Sequence, residues 1–138
     1  MYLISVIPYL CILIAWLLAM WPRFLASKEM KAMPGGYDNS DPRGQQTKLD
    51  GRSYRAVCAH QNGLENLAVF GLAVLAAMQR AVDVVLVALL AVLYVVIRWC
   101  FVRFYLADRP SARSTCFGLG ALICLILFVC AAFGWPKF

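Results

Sequence analysis

The sequence predicts an all-α integral membrane protein, a bundle of four transmembrane helices, on three observations. Of its 138 residues 63% are hydrophobic, the mean hydropathy is +0.74, and four apolar stretches are each long enough to cross a bilayer. Soluble domains are about half apolar and about a quarter charged, whereas only 14% of these residues are charged. A chain this short has too little interior to hide so much apolar surface from water, so lipid must be its solvent. A spanning helix takes about 20 apolar residues. Only helices and closed barrels satisfy their backbone groups in lipid, and the stretches lack the strict alternation of barrel strands.

The first span is predicted over residues 2–21. No basic residue precedes its apolar run and no short small-residue cleavage site follows, so it reads as a retained anchor rather than a secretory signal. Residues 22–52 read as a cytoplasmic surface loop, punctuated by Pro34-Gly35-Gly36 and by Tyr37-Asp38-Asn39-Ser40-Asp41-Pro42-Arg43. The second and third spans, 53–78 and 81–106, are separated by only a few residues and form an antiparallel hairpin. Asp108-Arg109-Pro110-Ser111 turns the chain into a fourth span over 112–134, with Pro110 suited to a first helical turn. The whole reads as one domain.

Charge sets the predicted orientation. Arg23, Lys28, Lys31, Arg43, Lys48, Arg52 and Arg55 lie between the first two spans, and Arg98, Arg103, Arg109 and Arg113 surround the turn between the last two. Basic residues favour the cytoplasmic side, which places both termini on the other face. The net charge of +6 is accounted for by this bias and by contact with lipid headgroups, without a nucleic-acid partner. The six cysteines are scattered through apolar segments and read as packing residues rather than as a disulfide or metal set.

Chemistry concentrates in the second span, whose first half reads Arg55-Ala-Val-Cys58-Ala-His60-Gln61-Asn62-Gly-Leu-Glu65-Asn66. Asn62, Glu65 and Asn66 recur at helical spacing. An ionisable group within a bilayer costs about 2.5–3.5 kcal/mol on insertion scales, so a functional site is the default reading. Tyr94, Arg98, Phe101 and Tyr105 form a stripe on the third span, and Arg98 is the predicted partner of Glu65. The bland alternative is a buried ion pair that only staples two helices. The surplus of amides and arginines favours a cationic hollow for an anionic, amphiphilic small molecule. His60 lacks a second histidine or a carboxylate set and reads as a polar residue at a helix interface, with no metal expected.

The pattern Arg55-Ala56-x-x-Ala59-His60-x-Asn62-x-x-Glu65-Asn66-x-x-x-Phe70 resembles the second-helix signature of the MAPEG family, membrane-associated proteins in eicosanoid and glutathione metabolism. Tyr37-Asp38-Asn39 followed by Asp41-Pro42-Arg43 resembles the loop of bacterial members. The resemblance implies a homotrimer, a bacterial inner-membrane setting, glutathione as thiol co-substrate, and sites between subunits. It further implies that Arg55, Asn62, Glu65, Arg98, Tyr105 and Ser114 hold glutathione. Arg113 would stabilise its thiolate, with Arg109 as rival because the Tyr-to-Arg spacing is shifted by about one residue. The activity implied is a glutathione transferase or peroxidase acting on lipophilic electrophiles or lipid hydroperoxides. Cys58, Gln61 and Phe101 depart from family positions whose side chains could grip a glutathione carboxylate. They leave open a non-enzymatic lipid- or anion-binding module of the same fold. A small multidrug-type transporter is the remaining alternative; it disagrees with the absence of a carboxylate from the first span.

Overall fold

The computed structural model describes residues 2–135. Among these there are five helices and no strand: α1 (Tyr2–Ala32), the short α2 (Pro42–Thr47), α3 (Gly51–Gln79), α4 (Val84–Leu106) and α5 (Pro110–Phe133). Each long helix runs antiparallel to the next in sequence. Ala19 of α1 lies against Gly63 of α3 and Ile12 against Gly71. Asn62 and Asn66 of α3 meet Arg98 and Tyr94 of α4, and Tyr94 lies against Gly120 of α5. Helices α1 and α5 sit diagonally opposite, with α3 and α4 between them.

By length and apolarity, three of the described helices qualify to cross a membrane: α1, α4 and α5. Helix α3 falls short because its N-terminal half carries the polar cluster. Its C-terminal half is closely packed: Phe70, Ala73, Val74 and Ala77 are fully buried. Much of the remaining apolar surface points outward, including Leu72, Leu89, Leu122 and Leu125.

Helix α1 runs eleven residues beyond the predicted end at Trp21, through Pro22. Proline removes one backbone donor and ordinarily ends a helix. Here tertiary packing prevails: Ala26 and Met30, beyond the proline, are completely buried in one cluster with Ala56, Val102 and Leu106. The interhelical loop therefore shrinks from 22–52 to 33–50, and it is built rather than loose. Asp41 caps α2 by accepting from the Gly44 amide at 2.8 Å. Gln45 is buried; its Nε2 donates to the carbonyls of Gly36 and Met30 and its Oε1 accepts from the Asp38 amide. The Ser40 hydroxyl, with the amides of Asp41 and Ser40, holds the Asp38 carboxyl below the usual carboxylate range.

The other boundaries shift by at most three residues, and α4 ends at Leu106 as expected. Helix α4 begins at Val84, not residue 81, because Asp83 caps it by accepting from the Leu86 amide at 2.8 Å. Helix α5 begins at Pro110. Helices α3, α4 and α5 end in the same way, with a left-handed residue and a following amide that reaches back to the last turn: Ala81 with Val82, Asp108 with Arg109, Gly134 with Trp135. Two of these three left-handed residues are not glycine. Asp108 is the more easily accommodated, since aspartate visits this conformation more readily than most residues.

Helices α1 and α3 approach closely at Gly63. A Cβ added to Gly63 would lie 2.8 Å from the Ala19 Cβ and 3.0 Å from its Cα, whereas one added to Gly118 on α5 would meet nothing within 4 Å among the described residues. One turn before Gly63, the His60 Nδ1 lies 2.8 Å from the Ala19 carbonyl, so this nitrogen carries the proton and donates. Gly63→Ala is expected to lower stability by about 1–3 kcal/mol through overpacking. Gly118→Ala should raise it by up to about 1 kcal/mol through helix propensity. Thermal unfolding of the two variants in detergent checks the opposed signs.

Candidate functional site

The site lies at the end of the bundle that carries the 33–50 loop and the α4–α5 turn. Its floor is set by the α3–α4 contact. Phe70 and Tyr94 stack face to face, 3.8 Å between centroids and 7° between planes, and the Tyr94 hydroxyl donates to the Asn66 carbonyl at 3.3 Å. One helical turn nearer the loop end, Arg98 is only 5% exposed. Its Nη2 donates to the Asn62 Oδ1 at 3.1 Å, and its guanidinium lies 4.1 Å from the centre of the Phe101 ring. A guanidinium only donates, so the Asn62 oxygen must face Arg98. The Asn62 Nδ2 donates to no described residue. Asn66 turns its own amide back onto the Asn62 carbonyl at 3.0 Å.

Above this pair opens a cavity of about 230 Å³ lined by Asn62, Phe101, Tyr105, Arg113, Ser114 and Phe117. Helix α5 delivers Arg113 and Ser114 in its first turns, and α4 delivers Phe101 and Tyr105 at its end. The Arg113 guanidinium lies 4.6 Å from the centre of the Tyr105 ring, a cation–π contact. Phe101 and Tyr105 pack edge to face at 5.5 Å. The cavity thus has one cationic, donor-rich wall and one aromatic wall.

The structure brings Asn62, Tyr105, Arg113 and Ser114 to one cavity, with Arg98 directly behind Asn62. Three other expected residues lie elsewhere. Glu65 does not pair with Arg98: it is exposed and makes no ion pair among the described residues. The reason is helical geometry. Glu65 lies three residues beyond Asn62, about 60° further round α3, on the side away from the buried face formed by Ala59, Gly63 and Phe70. Arg55 is engaged with Asp108 at 3.4 Å, the only ion pair among the described residues, and its Nε is buried without a partner. Arg109 is exposed at the start of α5 and does not line the cavity.

Sequence reasoning gave Asp108 no role beyond the turn and assigned Phe117 none at all. The pairing of Asp108 with Arg55 depends on the left-handed backbone at Asp108, φ 56°, which no residue spacing reveals. Phe117 has a legible signal, since it stands four residues after Arg113 and shares its face.

The MAPEG family model matches residues 6–133. The chain belongs to the MAPEG family. That membership accounts for the membrane-spanning helices and relates the protein to a family generally concerned with glutathione. No curated protein and no solved structure matches this MAPEG chain.

Proposed function

We propose that this MAPEG protein is a membrane glutathione transferase or peroxidase acting on lipophilic electrophiles or lipid hydroperoxides. In this reading α3 spans the membrane with the other three long helices. It packs along α1 and α5, and the turn between it and α4 is too short to carry it to another depth. The observation that carries the proposal is the convergence of Asn62, Tyr105, Arg113 and Ser114 on one cavity with aromatic walls.

The chemistry follows from what a thiol requires. A free thiol with pKa near 8.5 is mostly protonated at neutral pH, and the thiolate is the nucleophile. Lowering that pKa by about two units takes about 2.7 kcal/mol of preferential stabilisation. A guanidinium in a half-buried site supplies it, and Arg113 fills that role here. Asn62 Nδ2 donates to the peptide portion of glutathione, while Arg98 fixes the orientation of Asn62 and adds positive potential. The sulfur then attacks the electrophilic carbon of a chloro-nitroaromatic; an S–C bond forms, chloride leaves, and the thiol proton passes to solvent.

A homotrimer belongs to the same proposal. Alone, the chain leaves the flank of α3 that carries Glu65, Val69 and Leu72 uncovered. A neighbouring subunit against that flank would close the cavity and bring Glu65 within reach of the glutathione amino group. The second reading, a lipid- or anion-binding module, is favoured by the apolar Phe101 ring beneath Arg98. Mass spectrometry of the ligand that co-purifies separates the two. The direct test is titration of the detergent-purified protein with glutathione. A rise in ultraviolet thiolate absorbance and turnover of a chloro-nitroaromatic are expected. Absence of both in folded, assembled protein would rule the proposal out.

A further inference from the structure

On the α1–α4 side of the bundle, away from the cavity just described, a recess of about 330 Å³ is lined by Trp21, Arg52, Arg103, Leu106 and Ala107. Arg52 and Arg103 are both exposed and neither has an ion pair or hydrogen bond among the described residues. Asp108, the acid nearest in sequence to Arg103, is committed to Arg55. The Arg103 guanidinium leans over the Trp99 ring at 5.7 Å. From there an apolar stripe descends α4 at helical spacing: Trp99, Val96, Val92 and Leu89, each 46–65% exposed. Leu17 and Ile14 continue downward from Trp21 on α1, also exposed. The stripe from Arg103 to Leu89 is about 21 Å long at 1.5 Å per residue, enough for an acyl chain in one leaflet of a hydrocarbon core about 30 Å thick.

We infer that this recess binds an anionic phospholipid, its phosphate held between Arg52 and Arg103 and one acyl chain lying along the α4 stripe. The charge argument is specific. Two unmatched guanidiniums suit a phosphate diester, and Trp21 and Trp99 stand where aromatic residues sit at a membrane interface. The geometry argument selects an amphiphile over a free ion, because the cationic pole and the apolar stripe are continuous. Each cation near the surface contributes about 1 kcal/mol toward anionic lipid, so the pair is worth about a thirty-fold preference.

The test is native mass spectrometry of the detergent-purified protein titrated with phosphatidylglycerol and with phosphatidylcholine of the same chains. The wild type should retain phosphatidylglycerol preferentially. The double variant Arg52→Gln/Arg103→Gln should lose about thirty-fold of that preference, while its unfolding temperature and its retention of phosphatidylcholine stay unchanged. Arg80→Gln, at the opposite end of the bundle, should leave the preference intact. Equal retention of the two lipids by the wild type, or an unaltered preference in the double variant, would overturn the inference. So would competition by water-soluble glycerol phosphate as effective as that by the lipid, since the site would then take the free anion. The readout does not involve glutathione, so its outcome is independent of the proposed activity.

Discussion

Arg113→Ala is expected to remove the glutathione thiolate while leaving the folded assembly intact. With a thiol pKa brought from about 8.5 to about 6.5, roughly three-quarters of bound thiol is ionised at pH 7; without the shift, about 3% is. The thiolate signal and the rate of the conjugation step should both fall about 25-fold. Arg113 is half-buried against Tyr105, makes no ion pair among the described residues and lines the cavity, so its loss costs little packing. Arg109→Ala serves as the comparison, because that side chain is exposed one turn earlier and does not reach the cavity. The pH dependence carries the same information: wild-type conjugation should rise to a plateau near neutral pH, and the variant should continue rising toward pH 8.5. An unchanged signal in Arg113→Ala together with a loss in Arg109→Ala would transfer the role to Arg109.

The largest expected loss of stability is at Phe70. Its ring is completely buried and stacked on Tyr94, itself 1% exposed. Phe→Ala in soluble cores costs about 3–5 kcal/mol through lost contacts and the cavity left behind. In a membrane the unfolded helix keeps the ring in an apolar medium, and association rests on packing rather than on transfer from water. The expected cost is therefore at the low end, about 3 kcal/mol, read as a lower unfolding temperature in detergent. Because Tyr94 also donates to the Asn66 carbonyl, the variant should loosen the register of α3 against α4 just below Asn62 and Arg98. Glutathione binding should weaken along with stability. Phe70→Leu, which refills most of the volume, should recover the larger part of both. Loss of stability without any change in binding would show that the stack does not position the site.

Most of the architecture is legible in the chain because it depends on local composition. Long apolar runs, Pro110 at a helix start and the short turn after Gln79 specify helices and their succession without reference to distant residues. Membership in the MAPEG family is likewise visible in the spacing of Arg55, His60, Asn62, Glu65 and Phe70. The end of α1 is not legible locally. Pro22 signals a stop, and only the burial of Ala26 and Met30 against α3 and α4 explains why the helix continues. The same holds for the loop, where Gln45 looks like an ordinary surface residue until its three hydrogen bonds are seen.

Sequence alone determined that the protein is helical, lives in lipid, belongs to its family and concentrates polar groups on one helix. Tertiary structure decided which of those groups meet. Arg98 takes Asn62 and not Glu65, because a helix advances about 100° per residue and only the side chains turned toward α4 can reach it. Arg55 goes to Asp108 because a left-handed residue ends α4 and redirects that carboxylate. Periodicity names the residues on a face, but the rotation of that face toward a neighbour is a property of packing. That is why the partner of each charge could be read only from the fold.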